Sequence, residues 1–306
     1  MLLTKIKYIV LAGRPNQWVK NLVIFTAIMF AGKLFDPELM GRSLYAFVVF
    51  CLLSSTSYIL NDVIDYPYDR KHPLKKFRPV ASGKLSIPDA TFVVFGLSLF
   101  TLLLALQFSV GFFILSLVFL SLHFFYSMYF KKHAVLDIFT ISFSFILRAF
   151  AGQIATGYHI QVWLFLTIFF ISLFIATVKR QAELIRHGSE TRQSLNYYKE
   201  HLIQFLSTTF ATSTIIAYSL YTFLEKPPLI ETKMSAALYN LLPGFETRKW
   251  FVVTIPLVVY GIARYAQLLY EKEQGETPEK IITKDIPLIA TILSWGVIVI
   301  SLIYVF

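Results

Sequence analysis

The chain has 306 residues, 56% of them hydrophobic and only 15% charged, with a mean hydropathy of +0.63. A soluble domain of this length carries more charge, so a water-soluble globular protein is excluded and a helical protein embedded in lipid is expected. The net charge of +10 then points to phosphates and anionic membrane lipids as partners, and to no nucleic acid.

Nine segments are apolar over about the 20 residues a span needs: 17–35, 43–61, 88–108, 110–130, 137–157, 160–178, 204–223, 250–269 and 286–305. The expected fold class is all-α, a polytopic membrane protein of one domain over residues 1–306. The stretch before the first span, IKYIVLAGRP, is too short to cross and is expected at the interface; no cleavable signal pattern stands at the N-terminus. Cys51, the one cysteine, falls inside the second span and reads as small core filler. The loop 224–249 is the longest connection expected outside and is a candidate for a short surface helix.

Cations crowd the N-terminus (Lys5, Lys7, Arg14, Lys20) and the segments after spans two, four, six and eight. The connections between spans three and four and between five and six have none; the one after span seven, with Lys226, Lys233, Arg248 and Lys249, is the exception. The positive-inside rule therefore places the N-terminus and the cation-rich loops in the cytoplasm. An odd span count leaves the C-terminus outside.

The second span ends in NDVIDYPYDR, residues 61–70. Asp62, Asp65 and Asp69 are spaced i, i+3, i+7, which on a helix places them within about 60° of one another. Three carboxylates on one face repel unless a cation joins them, and Mg²⁺ commonly bridges carboxylates to substrate phosphates. Pro67 is expected to loosen the turn. Arg70, Lys76 and Arg78 follow in a loop restrained by Pro73 and Pro79, offering charge-assisted donors to phosphate oxygens. Cations alone would suit a lipid anchor; carboxylates with cations suggest a metal-bound diphosphate. The bland alternative is a solvated helix end.

NDVIDYPYDR resembles the NDxxDxxxD signature of the UbiA-type polyprenyl transferase superfamily. The resemblance implies a bundle of about nine transmembrane helices with a cytoplasmic-side active site, and Asn61, Asp62, Asp65 and Asp69 as the Mg²⁺–diphosphate site. Typical members carry a second aspartate-rich motif after span six; here that region reads ATVKRQAELIRHGSETR, with Lys179, Arg180 and Glu183 in its place. Six stretches in order, RPNQWVKN, DRKHPLKKFRPVASG, YSMYFKKHAVLDI, ILRAFAG, VKRQAEL and GETPEKIITKD, are similar to the decaprenyl-phosphate phosphoribosyltransferase branch. That branch implies transfer of 5-phosphoribose from phosphoribosyl pyrophosphate (PRPP) to a polyprenyl phosphate. The alternative within the superfamily is prenyl transfer from a polyprenyl diphosphate to an aromatic or other acceptor. A transporter is the rival outside it, disfavoured because the polar residues concentrate at one face.

Further candidates have a phosphate role beside a plainer one. Lys20 and Asn21 stand where span one meets the interface, as phosphate contacts or as an anchor. Tyr126 and Lys131 close span four, where Tyr126 also fits an aromatic belt. Asp137 opens span five, as a metal or ribose ligand or as an N-terminal helix charge. Arg148 lies mid-span, where a charge is costly and usually faces a polar cavity, and it is taken as catalytic with the three aspartates. Lys179 and Arg180 are read as phosphate contacts, Glu183 as orienting one of them or reaching metal, and Arg264 and Tyr265 as completing the site or snorkelling. The histidines lack metal-ligand spacing, and no GxxxxGK[ST] loop occurs.

Overall fold

The computed structural model describes residues 2–72, 74–187, 198, 200–225, 247–270 and 284–305. Among them the order is α1 (Leu2–Gly13), a 3₁₀ helix (Pro15–Phe25), α2 (Thr26–Phe30), α3 (Pro37–Ile64), α4 (Tyr66–Asp69), α5 (Ile87–Phe108), α6 (Val110–Met128), α7 (Leu136–Thr156), α8 (Val162–His187), α9 (Glu200–Leu224), a second long 3₁₀ helix (Thr247–Thr254), α10 (Ile255–Tyr270) and α11 (Ile286–Tyr304). No strand occurs among the described residues. Among the described residues seven helical segments are long and apolar enough to cross a membrane: α3, α5, α6, α7, most of α8, Trp250–Leu268 and α11. The chain is an all-α integral membrane protein. The surface helix expected in 224–249 falls largely outside the described residues.

Two of the nine expected spans look different. Segment 204–223 lies within α9, whose Ser207, Thr208, Thr209, Thr212, Ser213 and Thr214 lower its hydropathy. Ser207 and Thr214 return their hydroxyls to the carbonyls of Gln204 (3.0 Å) and Phe210 (2.7 Å), which lets such a helix stay dry. Segment 17–35 is not one straight α-helix. It starts as 3₁₀, becomes α at Thr26 and ends at Phe30. Gly32, at φ 69°, takes the chain out of the helix.

The described residues form two compact units, Met1–Phe25 with Pro37–Gly157, and Thr26–Asp36 with Tyr158–Phe306. In the first, α3 and α7 are central, each with 61% of its apolar window buried, against 11% for α5 and 22% for α6. Ile24, Val49, Phe50, Leu53, Phe112, Phe119 and Leu147 make the core. Phe92, Phe95, Leu99, Phe100 and Leu103 of α5 stay exposed, as lipid-facing residues should. Ser109 joins α5 to α6 alone: its extended backbone breaks the helix, and its hydroxyl accepts from Phe112 N at 3.1 Å to start the next.

The loop after α4 is anchored rather than loose. Val80, Leu85 and Ala90 pack with Ala12 of α1 and Ile59 of α3, each at most 1% exposed. Gly83 closes the loop at φ 76°, where an L side chain is strained, although no atom lies within 4 Å of an added Cβ. Gly83→Ala is therefore expected to cost about 1–2 kcal/mol through backbone strain alone. Faster tryptic cleavage between Arg78 and Lys84 is the expected readout; unchanged cleavage would show that the left-handed turn does not hold the loop.

The second unit packs α8 on α9 and α10 on α11. Its buried polar centre is Tyr218, whose hydroxyl accepts from Trp295 Nε1 at 2.7 Å and lies 2.6 Å from Thr254 Oγ1. Tyr304 Oη accepts from Leu34 N at 2.8 Å and donates to Met29 O at 3.0 Å, satisfying the backbone where α2 ends. Asp285 caps α11, accepting from Leu288 N at 2.9 Å, and is gripped by Arg264 through Nε (3.2 Å) and Nη2 (2.8 Å). Arg264→Met is expected to cost about 1–3 kcal/mol, read as a lower melting temperature in detergent. An unchanged melting temperature would mean the cap holds without the arginine.

Candidate active site

The 3₁₀ helix Pro15–Phe25 carries most of RPNQWVKN. With three residues per turn, side chains three apart line up, so Trp18, Asn21 and Ile24 share a face. Trp18 Nε1 donates to Ser55 Oγ at 3.0 Å, and Asn21 and Ile24 are fully buried. Ile24 meets α7 at Gly152, where an added Cβ would stand 2.0 Å from the Ile24 carbonyl oxygen. Arg14, Gln17 and Lys20 form the next face, with Gln17 Oε1 3.5 Å from Tyr58 Oη. Arg14 itself has φ 51°, a strained value that turns the chain from α1 into the 3₁₀ helix.

At the end of α3 the motif carboxylates do not share one helical face. The α-helix stops at Ile64, Asp65 becomes the cap of α4, and Pro67 sits at its start. Asp62 is 1% exposed; its Oδ1 accepts from Arg14 Nη2 at 2.5 Å and from Arg78 Nη1 at 3.2 Å. The same Arg78 nitrogen donates to Asp69 Oδ2 at 2.6 Å, so one cationic atom joins two carboxylates. Asp65 turns the other way, pairing with Lys131 and accepting from Asn61 Nδ2 at 3.0 Å. Asn61 Oδ1 in turn accepts from Ser127 Oγ (3.1 Å) and Lys131 Nζ (3.3 Å). Arg14 lies over the Tyr58 ring at 5.0 Å.

Among the described residues no three His, Cys, Asp or Glu side chains group so as to hold a metal ion. The donor chemistry nevertheless fits a hard divalent ion: carboxylate and amide oxygens only, with no sulfur or imidazole. Asp62 Oδ2 is buried and has no hydrogen-bond partner among the described residues, an uncommon state for a carboxylate oxygen. Arg78 Nη1 already places a positive group between Asp62 and Asp69.

Of the other sequence candidates in the first unit, Arg70 is exposed and donates to Tyr66 Oη at 3.2 Å, while exposed Lys76 lies over Phe77. Tyr126 is half-buried beside Ser127 on α6, and Asp137 is fully buried in the first turn of α7. Arg148, 3% exposed, donates to Asn21, Ser144 and Ser54 rather than to any motif aspartate. In the second unit Arg180 is 1% exposed and grips Glu183 with Nη1 (2.8 Å) and Nη2 (3.1 Å), beside half-buried Lys179. Tyr265, 5% exposed, packs edge-on against Phe174. Arg14 is the residue that sequence reasoning counted only as a loop charge; its place inside RPNQWVKN was the available signal.

The chain matches the UbiA prenyltransferase family over residues 21–283 and belongs to it; it is a membrane-embedded transferase. Decaprenyl-phosphate phosphoribosyltransferase of Mycolicibacterium smegmatis is 33% identical over 93% of this chain and 88% of its own length. The protein of the same name from Corynebacterium glutamicum is 31% identical over 96% of this chain and 86% of its own. A UbiA homologue from Archaeoglobus fulgidus, solved bound to DMAPP and Mg²⁺, superposes with a TM-score of 0.67 over 98% of this chain and 100% of its own, at 17% identity. It shares the fold.

Proposed function

We propose that the protein transfers 5-phosphoribose from PRPP to a polyprenyl phosphate and releases pyrophosphate at the cytoplasmic face of the membrane. The observation that carries this reading is the interleaving of Asp62, Asp65 and Asp69 with Arg14, Arg78 and Lys131 at one end of α3. Carboxylates can hold a divalent ion while neighbouring cations hold phosphate oxygens, which is what a metal-bound diphosphate asks of a site. The printed name shared by the mycobacterial and corynebacterial relatives gives the substrate class. Asn61, Asp62, Asp65 and Asp69 would hold Mg²⁺, and when bound the ion neutralises charge on the departing pyrophosphate.

The chain's own work is positioning and charge. Arg14, Arg78 and Lys131 leave their aspartates to bind phosphate oxygens. The C1–O bond to pyrophosphate breaks as a lipid phosphate oxygen bonds to C1 from the opposite face, with inversion. That oxygen is anionic at neutral pH, so no strong base is needed. Prenyl transfer to an aromatic acceptor is the weaker reading, because Arg180 and Glu183 stand where a second acidic motif would be expected.

The test uses purified protein in detergent with Mg²⁺, ribose-labelled PRPP and polyprenyl phosphate. Label passing into the organic phase, and abolished by EDTA, is the expected result. No lipid-borne label, with polyprenyl diphosphate consumed in the presence of an aromatic acceptor, would overturn it.

A further inference from the structure

Among the described residues Arg148 is a buried cation without a carboxylate partner. Its guanidinium lies between the rings of Phe119 (4.9 Å) and Phe145 (5.2 Å). Nε donates to Asn21 Oδ1 at 2.7 Å, Nη1 to Ser144 O and Oγ at 2.7 and 2.9 Å, and Nη2 to Ser54 Oγ at 3.5 Å. Four contacts engage four of the five N–H groups, leaving one on Nη2 without a protein acceptor among the described residues. A charge held this way in a membrane is costly unless something anionic joins it.

Two more side chains that can engage a phosphate lie close. His123 lies against the Phe119 ring, centroids 4.2 Å apart, and has both Arg148 and Lys20 in its electrostatic surroundings. Lys20 adjoins Asn21, the acceptor of Arg148 Nε. His123 Nδ1 donates to Phe119 O at 2.9 Å, so in the neutral ring Nε2 accepts, and it can take a hydrogen bond from a P–OH group.

The depth of this cluster is informative. Ser54 precedes Asn61 by seven residues on α3, about 10 Å along the helix, and His123 precedes Ser127 by four on α6, about 6 Å. The cluster therefore sits roughly 6–10 Å farther into the spans than Asn61 and Asp62. A substitution at C1 from the face opposite the leaving group separates the two phosphorus atoms by roughly 6–9 Å. We propose that Lys20, His123 and Arg148 form a phosphomonoester site that receives the head group of the polyprenyl phosphate. This rests on the phosphoribosyl-transfer reading for its substrate. The ribose 5-phosphate of PRPP has the same chemistry, but the aromatic walls and the depth favour the lipid.

The test is equilibrium binding to the full chain in detergent, read by native mass spectrometry with no turnover, so its result stands apart from the transfer assay. The probes are polyprenyl phosphate, the matching polyprenol and ribose 5-phosphate. Wild type is expected to hold the phosphate over the alcohol by at least tenfold, and millimolar ribose 5-phosphate is expected not to displace it. Lys20→Met and Arg148→Lys, each checked for monodispersity, are expected to lose most of that preference; Lys20 is half-exposed and its replacement spares the packed core. Retention of the full preference by Lys20→Met and by folded Arg148→Lys would overturn the site. Displacement by ribose 5-phosphate would assign it to the sugar donor instead.

Discussion

Gly152→Ala is expected to melt well below the wild type. The added methyl would meet the Ile24 carbonyl oxygen at 2.0 Å and its carbon at 2.9 Å. Both are backbone atoms, so no rotamer change relieves the clash, and the 3₁₀ helix must move away from α7. That movement also pulls Asn21 from Arg148 and opens a core in which Ile24 is fully buried. Overpacking ordinarily costs 1–3 kcal/mol; with backbone on the receiving side the expectation is about 3 kcal/mol or more, a fall of roughly 6 °C or more in melting temperature. Gly96→Ala, with no atom within 4 Å of the new carbon, is the control and should melt like wild type. A Gly152→Ala protein that melts alongside that control would mean the close approach of the 3₁₀ helix is not required.

Asp62→Asn is expected to lower phosphoribosyl transfer by about 10²–10³-fold in a protein that still folds. The substitution keeps the shape of the side chain and removes its charge. It takes the shared counter-ion away from Arg14 and Arg78 and replaces the buried, unpartnered Oδ2, the oxygen best suited to a divalent ion. The check is the labelled-lipid assay beside a thermal melt, so that lost chemistry and lost fold are told apart. Activity within threefold of wild type would remove Asp62 from the site.

Much of the fold was legible because lipid makes helices long and apolar: the candidates 88–108, 110–130, 137–157 and 286–305 fall close to α5, α6, α7 and α11. The first span was not, because nothing in the apolar composition of 17–35 marks the change from 3₁₀ to α at Thr26. The acidic motif was legible as a motif but not as geometry. Ideal helix arithmetic puts its aspartates on one face, whereas the turn at Asp65 and Pro67 sends Asp65 to Lys131 and leaves Asp62 and Asp69 with Arg78. Arg14 was hidden by distance, since 48 residues separate it from Asp62. Arg148 was conspicuous as a mid-span charge, yet only the structure shows that its acceptors are Asn21, Ser54 and Ser144.

The pairing of Asp62, Asp65 and Asp69 with Arg14, Arg78 and Lys131 makes the site electrically self-contained, three negative charges against three positive. A divalent ion arriving alone must compete with cations already seated on the carboxylates, and a diphosphate arriving alone must compete with carboxylates already seated on the cations. If both bind as proposed, Asp62, Asp65 and Asp69 would hold the metal, Arg14, Arg78 and Lys131 would hold the phosphates, and no charge would be left stranded. On the proposed reading loading would be a double ion exchange, in which metal and diphosphate are each expected to bind weakly alone and to reinforce one another.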